Sequence, residues 1–151
     1  DQWQGEYPNE QVFLADMARG EGFAVTHGGE VAAVFVLSTL EQENYAKITD
    51  GKWTADMAYC VLHRSAVSAK YRGSGMAEFM MKCVERQAAE GFGLRCIRVD
   101  THRKNKAMQR LLRESGYRYR GNVLIDDAGH DPARQAYEKI LKIKNIAGGC
   151  K

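Results

Sequence analysis

Apolar residues recur along this chain at two different spacings, and stretches of one kind alternate with stretches of the other. Over residues 75–90 the apolar positions follow the i, i+3, i+4, i+7 spacing of one helical face: Met76, Phe79, Met80, Cys83, Val84 and Ala88. Residues 31–38 are instead a nearly continuous apolar run of strand length, and residues 57–67 are predicted as the next strand. This alternation predicts helices packed on a mixed α/β sheet.

The other elements follow from the same spacings and from the residues that end them. We predict a helix at 8–19 that Asn9 caps and a helix at 105–115. The first of these is predicted to carry three apolar residues on one face: Val12, Phe13 and Met17. Further strands are predicted at 23–26, 95–101, 117–125 and 134–142, with a turn at 126–129. The polar residues 39–54 predict a long excursion over the end of the sheet with one helical turn.

Composition and charge narrow the class of protein. The 151 residues suit one domain, which we place at 1–143, before a basic tail at 144–151. No apolar run approaches the ~20 residues of a membrane span, and a net charge of +3 is too small to indicate nucleic-acid binding. The four scattered cysteines fit neither a zinc site nor a disulfide framework. We therefore expect a cytoplasmic protein with neither a membrane nor nucleic acid as its partner.

The stretch from Ala66 to Ala77 carries the first candidate chemistry. An apolar run ends at Val67, and Arg72-Gly-Ser-Gly-Met-Ala then opens the predicted helix. The first N–H groups of a helix lack partners, the helix dipole favours anions there, and glycine lets the backbone approach a phosphate. Taken alone, the loop is equally well explained as a surface turn with a basic residue. It lacks the Gly-Lys-Ser/Thr ending of a nucleotide-hydrolysing P-loop.

Residues 61–139 resemble the GNAT superfamily of acyl-CoA-dependent N-acyltransferases. The segment from Arg72 to Ala77 fits its Arg/Gln-x-x-Gly-x-Gly/Ala pyrophosphate loop, and Val67 stands where the preceding strand should end. Asn105 opens a helix that Gly116-Tyr117 follows, as in the family, and the surrounding 100–109 cluster resembles a bacterial small-molecule subgroup. These spaced features occur in the family's order, which makes the resemblance specific.

The resemblance implies a fold, a reaction and a set of binding residues. The fold is a mixed, mostly antiparallel sheet with helices on both faces, splayed beside the strand that ends at Val67. The reaction is direct attack of a primary amine, expected to be a small molecule, on acetyl-CoA through a tetrahedral intermediate, without a metal. The N–H of Val67 would bind the thioester oxygen. The residues implied in cofactor binding are Ala66, Val67, Arg72, Gly73, Ser74, Gly75, Met76, Ala77, Asn105 and Met108.

The proton acceptor implied by the resemblance is Asp100, because many relatives carry a carboxylate five positions before the asparagine. The alternative is that Asp100 caps the following turn. His102 follows the same strand and is a second candidate for the catalytic site. Other relatives carry a glutamate where this chain has Cys60, which we expect to be a core residue. For His63 we expect a structural or solvent-facing role.

Two departures from the family pattern limit these expectations. The usual tyrosine acid is replaced by Leu112. Either another side chain donates the proton, with Tyr59, Tyr137 and His102 as candidates, or solvent or the amine does so. Only 22 residues precede Phe23, so we expect the family's first strand to be missing and a partner, such as a second copy in a homodimer, to cover the sheet edge. A non-catalytic acyl-CoA-binding or sensing module therefore remains as the second function.

Overall fold

A computed structural model describes residues 9–54, 56–125 and 131–142. The helices are α1 (Glu10–Ala18), α2 (Met76–Arg86), which a π-helical turn at Gln87–Gly91 continues, and α3 (Lys106–Glu114). The strands are β1 (Gly22–His27), β2 (Glu30–Ser38), β3 (Tyr59–Val67), β4 (Cys96–His102), β5 (Arg118–Leu124) and β6 (Ala133–Ile140). Short 3₁₀ turns lie at Glu43–Lys47 and Ala69–Tyr71. The turn predicted at 126–129 and the tail at 144–151 lie outside the described residues.

The six strands form one sheet in the order β1-β2-β3-β4-β6-β5. Neighbouring strands run antiparallel except β3 and β4, which are parallel. Apolar residues of α2 and α3 pack on one face, in a cluster that includes Leu62, Ile97 and Val99. Tyr45, from the 39–54 segment, packs on the other face with Val61. The predicted mixed, mostly antiparallel sheet is confirmed.

The sheet opens between its two parallel strands. The pairing of β3 with β4 is confined to three positions and ends at Val61↔Arg98. Beyond that pair, β3 continues to Val67 beside β2, while β4 continues to His102 beside β6. The two strands therefore diverge and leave a gap, which we call the β3–β4 gap, next to the end of β3.

A β-bulge in β3 lies beside this gap. Ala66 pairs with Val34 but His63 pairs with Val36, so two residues of β3, Arg64 and Ser65, oppose one residue of β2. Arg64 adopts a left-handed backbone with φ of 43°, which is rare for a residue with a side chain. The bulge changes which β3 residues face the gap.

Helix α1 holds the bulge through a buried ion pair. Arg64 Nε and Nη2 donate to the two carboxylate oxygens of Asp16 at 2.8 and 2.6 Å. Asp16 is therefore the buried residue of α1, at 1% exposed, whereas Met17 is 65% exposed. Met17 is exposed although the sequence groups it with Val12 and Phe13, because the bidentate pair with Arg64 turns the Asp16 face of the helix toward the sheet. Asn9 caps α1 as predicted, accepting from the N–H of Val12 at 3.1 Å.

The 39–54 segment packs on the face of the sheet formed by β3, β6 and β5. It contains one short helical turn, as predicted. The backbones of Thr49 and Asn122 exchange two hydrogen bonds of 2.9 and 2.8 Å, which attach the segment to β5. A Cβ on Gly121 would overlap the carbonyl oxygen of Thr49, so glycine is required for this close approach. In the described part of the chain, every helix falls short of the length and apolar character that a membrane span needs.

Candidate active site

The loop between β3 and α2 presents backbone N–H groups at a helix start. Gly73 and Gly75 have φ of 73° and 83°, a left-handed conformation that side chains disfavour. Gly75 is the N-cap of α2 and offers no side chain to cap it, and Ser74 turns its hydroxyl back to the carbonyl of Tyr71 at 2.6 Å. The first N–H groups of α2 therefore point outward, beside the exposed Arg72, where the helix dipole favours an anion.

The direction of the Val67 N–H follows from the ladder between β2 and β3. The N–H of Ser68 donates to the carbonyl of Ala32 at 2.8 Å, so these two residues face each other as a hydrogen-bonded pair. In an antiparallel ladder such pairs alternate with pairs whose N–H groups point away from the partner strand. The next pair, Ala33↔Val67, is of this second kind. The N–H of Val67 therefore points away from β2, toward the β3–β4 gap.

Asp100 and His63 occupy matching positions on the two sides of the gap. Val61 and Arg98 are the last paired residues, and side chains two residues further along a strand point to the same face. His63 and Asp100 are each two residues beyond that pair, and the carboxylate acts electrostatically on the imidazole. The phenol of Tyr45 donates to Asp100 Oδ1 at 2.6 Å. The fold thus brings together three groups from distant segments.

Burial shifts the pKa of two of these three groups, His63 and Tyr45. Burial lowers the pKa of His63 below its ordinary value, with Arg64 acting in the same direction and Asp100, Asp16 and Glu21 opposing. Its imidazole is therefore neutral at neutral pH. Burial, with the neighbouring charge of Asp100, raises the pKa of Tyr45 well above its ordinary value, so the phenol stays a hydrogen-bond donor.

His102 is engaged by the turn that joins β4 to α3. Its Nδ1 accepts from the N–H of Lys104 at 3.1 Å, and its Nε2 lies 3.5 Å from a carboxylate oxygen of Asp131. The carbonyl of His102 accepts from Asn105 N–H and from Gln109 Nε2, at 2.9 and 3.2 Å. This geometry favours a structural role in the turn, and the catalytic role of His102 stays a prediction.

The predicted cofactor residues of α3 lie at its start. Asn105 caps the helix, because its side-chain oxygen accepts from the N–H of Met108 at 3.1 Å. Met108 is half-buried and packs against the core. Contact of either side chain with a cofactor stays a prediction.

The positions where relatives carry an acid and a base are buried core in this chain. Leu112 and Cys60 are fully buried on the face that α2 and α3 cover. Burial, with the neighbouring Cys96, raises the pKa of the Cys60 thiol to about 12. Of the tyrosines considered as acids, Tyr137 is buried and donates to Gln135 at 3.2 Å, whereas Tyr59 is half-buried with its ring on a guanidinium.

A buried charged cluster, formed by Arg98, Arg120 and Glu138, lies next to Tyr45. The Arg98 guanidinium sits between the Trp53 and Tyr59 rings, 4.3 and 4.0 Å from their centroids. Glu138, 1% exposed, accepts from Arg98 Nε at 3.2 Å, lies 3.3 Å from Arg120 Nε, and accepts from the Thr54 N–H at 3.0 Å. Trp53 Nε1 in turn donates to the carbonyl of Tyr45 at 2.8 Å. The cluster thereby fixes the segment that holds Tyr45 on Asp100.

Sequence reasoning missed the grouping of Tyr45 and His63 around Asp100. No pattern in the polar 39–54 segment marks Tyr45 as a partner of Asp100, which is 55 residues away. The alignment of His63 with Asp100 depends on the register of β3 against β4, which a single sequence does not supply. In the described ranges, no three histidine, cysteine or carboxylate side chains come together as a metal-binding group.

Comparisons with known proteins agree with this architecture. Residues 1–117 match the model of the Acetyltransferase (GNAT) family. An acetyltransferase of the GNAT family from Streptococcus agalactiae is 34% identical, with a TM-score of 0.83 over 95% of this chain and 79% of its own. An IAA acetyltransferase from Bacillus cereus shares the fold at 18% identity and a TM-score of 0.63, over 89% of this chain and 87% of its own.

A spermidine N-acetyltransferase variant from Vibrio cholerae also shares the fold, at 11% identity and a TM-score of 0.62, over 87% of this chain and 72% of its own. A comparison with curated protein sequences gives no significant match. The family model and the Streptococcus relative together decide the assignment. The chain belongs to the GNAT family of acetyltransferases and is an acyltransferase.

Proposed function

We propose that this protein transfers an acetyl group from acetyl-CoA to a primary amine, by direct attack through a tetrahedral intermediate. The observation that carries the proposal is the β3–β4 gap. A backbone N–H faces it from Val67, a carboxylate faces it from Asp100, and a helix start suited to phosphate lies beside it. Family membership supports an acyl-CoA donor.

The donor is bound along the edge of β3 and the start of α2. Arg72 and the N–H groups of the next five residues hold the pyrophosphate, since a fixed guanidinium and outward N–H groups suit a dianionic ligand. Ala66 and Val67 border the pantetheine arm on one side, and Asn105 and Met108 on the other. Gly73 and Gly75 carry no side chain, so the backbone can approach the phosphates closely at these positions.

The chemistry requires a polarised carbonyl and an amine that loses a proton. The N–H of Val67 donates to the thioester oxygen and strengthens that hydrogen bond as the oxygen becomes negative. Asp100 places a negative charge at the gap, which favours the approach of a cationic amine, and the group that it forms with His63 and Tyr45 accepts the proton. The exposed Glu41 and Glu43 of the 39–54 segment add negative charge that favours a small cationic acceptor of this kind. The free thiols of Cys60, Cys83 and Cys96 support a cytoplasmic location.

Ligand-induced stabilisation tests the donor assignment. Acetyl-CoA at ~100 times its Kd should stabilise the protein by about 2.7 kcal/mol, a rise in Tm of roughly 5–10 °C, whereas ADP should give a smaller rise. Arg72→Ala should weaken acetyl-CoA binding about 10- to 150-fold and remove most of the shift. Arg86→Ala, at the opposite end of α2, is the matched control and should keep it. An unchanged shift in Arg72→Ala would refute the pyrophosphate assignment.

A non-catalytic acyl-CoA-binding module is the second candidate. It is favoured by Leu112 and Cys60, because both positions that carry an acid or a base in relatives are buried here in apolar core. Binding of acetyl-CoA without thiol release on any amine would support this module, and amine-dependent thiol release would exclude it.

A further inference from the structure

We propose that the imidazole of His63 receives the proton of the attacking amine, with Asp100 and Tyr45 as positioning residues. This inference rests on the acetyl transfer proposed above. The proton acceptor is then a residue of β3 that lies at neither of the two positions, Cys60 and Asp100, where relatives carry a carboxylate. Asp100 acts through His63 rather than on the substrate directly.

Geometry is the first argument. His63 lies on the edge of the β3–β4 gap, two residues after the last β3–β4 pair and four residues before Val67, whose N–H faces the same gap. An amine that attacks a carbonyl held at Val67 must enter between the diverging strands. His63 is half-buried there, so it borders the gap without being sealed in the core.

The second argument is how Asp100 is held. Its Oδ1 accepts the Tyr45 phenol at 2.6 Å, and Tyr45 is fixed in turn by Trp53. A carboxylate that is held in this way and acts electrostatically on a nearby imidazole stabilises the imidazolium once the proton has arrived. Without His63, the side chain of Asp100, which is shorter than that of glutamate, would need a water molecule to reach the amine.

The third argument is that β3 is locked at this position. The bulge at Arg64 and Ser65 sets the direction of the neighbouring His63, and the bidentate Arg64–Asp16 pair holds the bulge. The charged groups that face His63 come from three elements: Arg64 on β3, Asp100 on β4, and Asp16 and Glu21 from α1 and the turn after it. Burial outweighs the three carboxylates and leaves the imidazole neutral, so that its lone pair is available near pH 7.

In the reaction, the amine nitrogen forms a bond to the thioester carbon, and its proton passes to the lone pair on the unprotonated ring nitrogen of His63. The C–S bond then breaks, and its electron pair leaves with the sulfur of CoA. His63 returns its proton to solvent, and the thiolate takes one proton from solvent. The products are the acetylated amine and CoA, with no oxidant, reductant or metal consumed.

The test is the pH dependence of kcat/KM for the wild-type enzyme and four variants on an amine that the enzyme acetylates. The wild type should show a limb that rises with pH and has its midpoint below the ordinary histidine pKa of about 6.5. His63→Gln should lose that limb and fall about 10²- to 10⁴-fold. Asp100→Asn should keep the limb but move it to lower pH, because a carboxylate that favours the imidazolium is gone. Tyr45→Phe should have a smaller effect, and His27→Gln, at the exposed end of β1, should match the wild type.

Two controls keep the outcomes distinct. Circular dichroism establishes that each variant is folded, and NMR titration of the His63 ring in wild type and Asp100→Asn measures the same midpoint without turnover. If His63→Gln keeps the turnover of the wild type, the assignment of His63 as the base is wrong, while the proposed function stands. The same holds if Asp100→Asn loses the rising limb while the NMR midpoint of His63 does not change. Failure of the wild type to acetylate any amine would overturn the proposed function and this inference with it.

Discussion

The phosphate-loop region, residues 72–77, and the buried charged cluster of Arg98, Arg120 and Glu138 are built in opposite ways. The loop is exposed, and two of its glycines have positive φ. The cluster is buried, and Glu138 links β4, β5 and the 39–54 segment through Arg98, Arg120 and Thr54. One region is made by neighbours in sequence and the other by residues up to 84 positions apart.

Because of this difference, substitutions in the loop and in the cluster should affect different properties, ligand binding in the first case and folding in the second. A loop that binds through backbone N–H groups needs correct φ angles and little support from the rest of the fold, so changes there should affect the ligand more than the folded state. The cluster contributes to folding and also holds Tyr45 through Trp53, so changes there should affect stability and the site together. The following predictions test this separation.

The largest effect is expected at the cluster. Glu138→Ala leaves Arg98 and Arg120 without their buried carboxylate, which should lower the free energy of unfolding by about 3–5 kcal/mol in a urea titration. Glu114→Ala removes a carboxylate from an exposed i, i+4 pair and should cost no more than about 0.5 kcal/mol. Equal losses in the two variants would show that the cluster is not the structural centre of this side of the sheet.

A smaller effect is expected at the loop. Gly75→Ala forces a side chain into a left-handed backbone with φ of 83° and should destabilise the protein by about 1–2 kcal/mol. Gly75→Asn is the matched variant, and it should lose less because asparagine tolerates this conformation better. Thermal unfolding without ligand measures both. The same loss in both variants would indicate that crowding, rather than backbone conformation, requires glycine.

The smallest effect is expected in the acid range. Burial alone would raise the pKa of Glu21, but hydrogen bonds from Arg19, Ser38 and the Thr39 N–H outweigh it and hold the pKa below its usual value. A carboxylate with a lowered pKa contributes stability that is present above the unfolded pKa, about 4.3, and is lost as pH falls through the folded value.

Glu21→Gln should therefore lower the stability at pH 7 by about 1 kcal/mol and flatten its decline below about pH 4. Unfolding by urea at several pH values measures both quantities. A decline as steep as that of the wild type would show that Glu21 does not contribute to the acid limb.

The sequence alone predicted the elements and the phosphate loop because both depend on local patterns. The Asn9 cap, the helix over Met76–Arg86 and the positive-φ glycines follow from residue type and spacing within a few turns. The inward face of α1 could not be predicted, because Asp16 is buried only through a pair with Arg64, 48 residues away. Apolar periodicity has no means of signalling a buried ion pair.

The site was predictable to the extent that it resembles the family. Val67 and Asp100 both border the β3–β4 gap, while the grouping of His63 and Tyr45 around Asp100 depends on strand register and on the path of an irregular segment. Neither of these is encoded in a local pattern.

The most direct test of the account is a thiol-release assay with acetyl-CoA and a panel of small primary amines, with the products identified by mass spectrometry. The account predicts that CoA is released only when a suitable amine is present, and that one acetyl group appears on that amine for each CoA released. Saturable binding of acetyl-CoA with no amine-dependent release across the panel would contradict it.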